Sequence, residues 1–205
     1  MKVKVVTVFF SLFCIVLASS PVQAKQLLVF GDSLSSAYGV EQEDGWVALL
    51  AETIAPEHTI LNASVSGEDT VTGLVRLPLV LAAAKADVVI IELGGNDGLR
   101  AYRLERTRSN LSKMIELAQD SGAVVVLAGI RVPPNYGPRY TGGFARLFPE
   151  LAQEKNVAFL DLFIEDIALD PAKMQRDGIH PATIAQPEIA SYVHEFLQKE
   201  RLLNE

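Results

Sequence analysis

Leu28-Val29-Phe30-Gly31-Asp32-Ser33-Leu34-Ser35 is an apolar run that breaks abruptly into Gly, Asp and Ser. An apolar stretch of this length, bounded by turn residues, suits a strand buried on both faces. A serine just past such a strand lies where open α/β sheets place their ligands, outside the strands' carboxyl ends. Serine alone is a weak nucleophile, so a chemical role requires a base and oxyanion donors elsewhere in the chain.

Similar strands recur along the chain. Thr59-Ile60-Leu61-Asn62 empties into Ala63-Ser64-Val65-Ser66-Gly67. Asp87-Val88-Val89-Ile90-Ile91-Glu92-Leu93, β-branched and nearly all apolar, empties into Gly94-Gly95-Asn96-Asp97-Gly98. Residues 123–130 and Val157-Ala158-Phe159-Leu160 read as two more strands. Helical spacing falls between them, over 45–55, 71–85, 107–119 and 144–155, with a closing helix from 184 or 187 to 202. Asp44 is placed to cap the first of these, and Pro56 stops it. Gly73 and Pro78 blur the limits of the second. Residues 131–143, with their prolines and Tyr136 and Tyr140, read as a loop. Strands alternating with helices imply a parallel sheet covered on both faces, and right-handed crossovers bring every strand's carboxyl end to one edge.

The amino terminus is a separate element. Lys2 and Lys4 precede the mostly apolar run from Val5 to Ala18, and Val22-Gln23-Ala24 offers small residues for cleavage. This is the pattern of a secretory signal peptide over residues 1–24, removed after Ala24 to leave a single domain, 25–205. A membrane anchor is the rival, but the run is shorter than the ~18–20 residues a span requires. Removing the segment leaves 16 basic residues against 25 acidic, a net charge of −9, and no cysteine. An acidic surface disfavours nucleic acid and anionic membranes as partners. An exported chain without disulfides must rely on its core, which suits the bacterial periplasm.

With all strand ends on one edge, Ser33, Gly67 and Asn96 reach the same crevice, and His180 follows the last strand. A serine esterase needs this set: nucleophile, base and oxyanion donors. Imidazole titrates near working pH, and Asp177 can bond one ring nitrogen while the other faces Ser33. Each residue also has an ordinary explanation. A serine in a turn is usually only a turn residue, Gly67 can serve a positive φ, and Asn96 can bond its own backbone. Asp177 and His180 can form a simple surface pair. It is their joint placement after successive strands that ordinary turn chemistry explains poorly.

The motifs resemble those of the SGNH hydrolases, also called GDSL esterases and lipases. Gly31-Asp32-Ser33-Leu34 is similar to the first block, and Asn62-Ala63-Ser64-Val65-Ser66-Gly67 to the second. Gly94-Gly95-Asn96-Asp97 is similar to the third, and Asp177-Gly178-Ile179-His180-Pro181 to the last. Residues 94–100 and Pro134-Asn135-Tyr136-Gly137 look closest to the bacterial thioesterase I/lysophospholipase L1/arylesterase branch. Gly67-Glu68-Asp69-Thr70 departs from it, carrying two acids where that branch usually has one. The resemblance implies a three-layer α/β/α sandwich with a flavodoxin-like central sheet of five parallel strands. It implies Ser33 as nucleophile, His180 as base and Asp177 as its orienting acid. The oxyanion hole would comprise the amides of Ser33 and Gly67 and the side chain of Asn96, with neither metal nor organic cofactor. A monomer acting on a small-molecule acyl ester or thioester is expected. A carbohydrate O-deacetylase and a non-catalytic anion-binding module are the rivals, although the first turn lacks the glycine spacing of a phosphate loop.

Other polar residues receive plainer readings. Asp32 positions the turn with its side chain directed away from the site, and Asp97 is a rival acid with no histidine nearby in sequence. His58 is expected in a solvated loop, and His194 in the closing helix. Arg100, Arg103, Arg106 and Arg108 can meet an anionic head group or simply solvate a helix start. Prolines and tyrosines of 131–143, with Val65 and Leu99, are expected around the acyl group, or else they only pack the loop.

Overall fold

The computed structural model describes residues 23–162 and 165–203. The proposed leader, apart from Gln23 and Ala24, lies outside the described residues. Five strands, β1 (Gln26–Gly31), β2 (Thr59–Asn62), β3 (Val88–Glu92), β4 (Val124–Gly129) and β5 (Ala158–Asp161), form one sheet. Its order is β2-β1-β3-β4-β5, with every adjacent pair parallel. The helices among the described residues are α1 (Trp46–Ile54), α2 (Thr70–Ala84), α3 (Gly95–Leu99), α4 (Leu104–Asp120), α5 (Pro138–Lys155), α6 (Glu165–Ala168) and α7 (Gln186–Lys199).

Alternation along the strands divides the core in two. Leu28 and Phe30 of β1, Val89 and Ile91 of β3, and Val125 and Leu127 of β4 pack with α2, α4 and α5. Leu27 and Val29, Val88 and Ile90, and Val126 and Ala128 pack on the other side with α1 and α7. This two-sided burial explains why the strands read as continuous apolar runs. Asp69 caps α2 by accepting from the amides of Val71 and Thr72 at 3.1 and 3.0 Å.

Several boundaries differ from the sequence reading. Asp44 does not cap α1; it belongs to a short 3-10 turn, Gln42–Asp44, and Gly45 is the N-cap. The Trp46 amide donates instead to Gln186 Oε1 of α7 at 3.0 Å, a contact too distant in sequence to anticipate. Helix α2 runs through both Gly73 and Pro78. Gly73 is a packing site, where a Cβ would lie 2.5 Å from Leu93 Cδ1. The turn after β3 is itself a short helix, α3, and α4 starts earlier than expected. Half of the expected 131–143 loop is helical, because Pro138 at N1 starts α5 after Gly137 at φ +83°. Gly143 lies inside α5, where a Cβ would approach Leu104 Cδ1 to 2.7 Å. His58 is 7% exposed rather than solvated, its Nδ1 accepting from the Lys25 amide at 3.2 Å.

Leu111 of α4 is fully buried in the core layer opposite α1 and α7. Leu111→Ala should lower unfolding free energy by about 2–5 kcal/mol, measured by urea denaturation.

Candidate active site

The turn after β1 is built around Asp32. Its Oδ1 accepts from the Leu34 amide at 3.1 Å, and its carbonyl accepts from the amide of Ser36 at 3.1 Å. Trp46 Nε1 donates to the Leu34 carbonyl at 3.0 Å, tying the turn to α1. Ser33 projects from this frame, and its Oγ lies 2.9 Å from His180 Nε2. His180 Nδ1 lies 2.7 Å from Asp177 Oδ2. Asp177 Oδ1 also accepts the amides of Ile179 and His180 at 2.9 and 3.0 Å, with Gly178 at φ +67° completing the turn. Partial desolvation opposes ionisation of Asp177, but the bonds from the His180 ring and these two amides outweigh it. They hold the carboxyl down to about 2. An ionised carboxylate at Nδ1 favours the tautomer whose Nε2 is free to accept a proton.

Asn96, in the first turn of α3, joins the other two loops. Its Nδ2 donates to Asp32 Oδ2 at 3.0 Å and to the Glu68 carbonyl at 3.1 Å. The residue next to Ser33 and the residue next to Gly67 are thereby bonded to one amide group. Among the described residues, the Ser33 and Gly67 amides have no intramolecular acceptor. Gly67 needs its missing side chain for its φ of +80°, since a Cβ there would touch nothing.

Asp32 faces the site rather than turning away, because its second oxygen holds Asn96. Burial raises its pKa to about 6, against bonds from Leu34 and Asn96 and the charge of His180, which favour the anion. Asp97 is excluded as the orienting acid. It is fully buried and accepts from the Thr70 amide and hydroxyl at 2.8 and 2.6 Å and from Thr107 Oγ1 at 3.2 Å. The two acids after Gly67 have structural partners: Glu68 pairs with Arg76, and Asp69 caps α2 and meets Arg100 at 3.3 Å. Arg103, Arg106 and Arg108 each meet an acid as well, so the arginine run is internally paired. His194 bonds Gln198 on α7.

A cavity of about 280 Å³ adjoins Ser33 and Asn96, walled by apolar groups including Leu99, Ile130, Pro133, Leu169, Met174 and Ile179. Pro133, Pro134 and Leu99 line this cavity. Tyr136 and Tyr140 are not in this wall; their hydroxyls bond the carbonyls of Leu99 and Tyr102 at 2.6 and 2.8 Å. Val65 is exposed and also outside it. The wall from Ile167 to Met174 went unforeseen, since no motif marks that segment. Gln175 was missed too. It donates through Nε2 to the carbonyls of Tyr38 and Pro181 at 2.8 and 3.1 Å and through its amide to that of His180 at 2.8 Å. The Tyr38 ring lies against the His180 ring, with centroids 4.5 Å apart.

Fold and site together define a serine hydrolase built on a doubly wound α/β sheet. The sequence profile of the GDSL-like Lipase/Acylhydrolase family matches residues 29–184. An arylesterase from Vibrio mimicus is 46% identical over 191 residues, which cover 91% of this chain and 94% of the relative. Thioesterase 1/protease 1/lysophospholipase L1 from Escherichia coli K12 is 40% identical over 187 residues, covering 91% and 90%. The crystal structure of a psychrotrophic esterase, EstA from Pseudoalteromonas sp., inhibited by monoethylphosphonate, superposes with a TM-score of 0.83. It is 37% identical, covering 86% of this chain and 98% of that one. The chain belongs to the GDSL-like lipase/acylhydrolase family.

A carboxyl whose pKa is raised binds its proton more tightly in the folded than in the unfolded state. Between the ordinary 3.8 and about 6, the folded protein keeps at Asp32 a proton that the unfolded chain has released. Stability from this group is therefore lost as pH rises through that window. Relative to Asp32→Asn, the wild type should lose about 2 kcal/mol between pH 4 and pH 6. Denaturant unfolding of both proteins at several pH values measures it.

Proposed function

We propose that this chain is an exported serine esterase that cleaves acyl esters and thioesters through an acyl-enzyme on Ser33. The observation that carries the reading is the unbroken line from Ser33 Oγ through the His180 ring to Asp177, with bonds of 2.9 and 2.7 Å. Ser33 Oγ attacks the acyl carbonyl as His180 Nε2 takes its proton. The tetrahedral oxyanion is met by the amides of Ser33 and Gly67 and by the Asn96 side chain. His180 then gives the proton to the departing alcohol or thiol. Water, deprotonated by the same nitrogen, attacks the acyl-serine, and His180 returns that proton to Ser33 Oγ as the acid is released. Asn96 spends both amide hydrogens on Asp32 and Glu68 in the free enzyme. Its donation to the oxyanion therefore requires that one of these bonds be shared or surrendered.

The apolar cavity beside Ser33 favours an acyl chain over the two-carbon acetyl group of a sugar ester. The names of the esterase and thioesterase relatives support both leaving-group classes. Export would separate the enzyme from cytosolic acyl-CoA, which makes lysophospholipids or other exported esters the natural substrates. The protein acts as a periplasmic monomer after removal of residues 1–24, on a reading that rests on the leader pattern and the acidic mature chain.

Ser33→Ala should abolish both hydrolysis and labelling by a fluorophosphonate probe, and labelling that persists would sink the assignment. Asn96→Ala should lower kcat by about 10²–10³. A panel of p-nitrophenyl esters from two to sixteen carbons, run beside acetylated sugars, separates the readings; a steep preference for acetyl would favour the deacetylase. Intact mass of protein recovered from the periplasm of an expressing cell should correspond to a chain beginning at Lys25. Full-length protein held in the membrane fraction would show an anchor instead.

A further inference from the structure

Glu92 interrupts the all-apolar strand β3 at its carboxyl end, and it is 0% exposed. The parallel register sets Glu92 beside Gly31, on the same sheet face as Val88 and Ile90. A Cβ at residue 31 would lie 2.5 Å from Glu92 Oε2 and 3.0 Å from Ser35 Oγ, so a side chain there would displace the carboxyl. That oxygen accepts from the Ser35 hydroxyl at 2.8 Å and from the Asp32 amide at 3.2 Å. The other oxygen, Oε1, is buried with no hydrogen-bond partner among the described residues.

An ionised carboxylate in that place would face Asp32 and leave one anionic oxygen without a donor. Burying an ion without a full set of donors is strongly unfavourable. Burial first, and the nearby Asp32 second, push the group well above the ordinary glutamate range. An uncharged carboxyl satisfies the same two donors and leaves the negative charge to Asp32, whose second oxygen holds Asn96.

We propose that Glu92 is a positioning residue of the active site, an uncharged carboxyl beneath the Asp32-Ser33 turn whose Oε2 sets the turn and, through Asp32, aims the Asn96 amide. The carboxyl touches no substrate and acts through the Asp32 amide and the Ser35 hydroxyl. This inference rests on the role proposed for Ser33 and Asn96.

The test compares Glu92→Gln with Glu92→Met. Glutamine keeps an uncharged acceptor at the position, so kcat should stay within about threefold of wild type. Methionine keeps the length and removes the acceptor, so kcat should fall on the order of 10²-fold, the scale of a displacement near 1 Å, with KM changed less than twofold. Leu111→Ala serves as the stability control, since it lowers the unfolding midpoint while leaving kcat unchanged. Loss of activity in Glu92→Gln equal to that in Glu92→Met would overturn the proposal, as would full kcat in Glu92→Met. Should Glu92→Met fail to fold, hydrogen exchange decides on the wild type and Glu92→Gln. A slowly exchanging Asp32 amide in both supports the anchor, and exchange as fast as at exposed loop amides refutes it. Failure of the underlying reading is recognised separately, by Ser33→Ala retaining fluorophosphonate labelling.

Discussion

The pairing of β1 with β3, Leu27 opposite Val88 through to Gly31 opposite Glu92, is the constraint on which the site depends. A parallel register locks the two strands so that both end at one level. Ser33 follows β1 at a fixed offset, and Asn96 follows β3 at another. A one-residue slip would exchange the faces of every side chain on a strand and send Glu92 into the layer formed by α2, α4 and α5. The pair is also central in the sheet, covered by helices on both faces, so the register is specified from two sides. The placement of Ser33 is thus inherited from a deeply buried part of the molecule.

Polar groups in this region oppose folding and support chemistry. Asp32 and Glu92 are both buried, and both carboxyls are pushed upward by desolvation. Asp177 is moved the other way, because two backbone amides and the histidine ring surround it with donors in a less buried loop. The site therefore gathers, from three separate segments, acids of opposite disposition. Environments that separate like groups in this way mark working sites more often than structural ones.

Much of this was legible in the chain. The strands declared themselves because a sheet covered on both faces needs unbroken apolar runs, and Val88 to Ile91 supply one. Ser33, Gly67, Asn96, Asp177 and His180 were marked by turn residues at strand ends, and the structure brings their loops together. What escaped was long-range. Gln186 completing the start of α1, Gln175 fastening Tyr38 to the histidine loop, and Asp32 reaching Asn96 each span distances in sequence that no local pattern encodes. Glycine misled in the opposite way: Gly73 blurred the limits of an expected helix and Gly143 closed an expected loop, yet each sits inside a helix where another chain segment approaches closely. Glu92 was the one visible signal left unused, an acid at the end of an otherwise apolar strand.

The histidine and its acid come from a single short turn, whereas the serine comes from the other end of the chain. Asp177 binds His180 through the ring and through two amides of that same turn, so their mutual geometry is a local property. Among the described residues, the bond of Ser33 Oγ, the Gln175 contact to Tyr38 and the ring of Tyr38 fasten that turn to the segment after β1. The turn of Asp177 and His180 is thus a self-contained unit docked on the separately built segment that carries Ser33. Lifting it away would part His180 from Ser33 while leaving the Asp177–His180 bonds intact, and redocking would return the two already aligned.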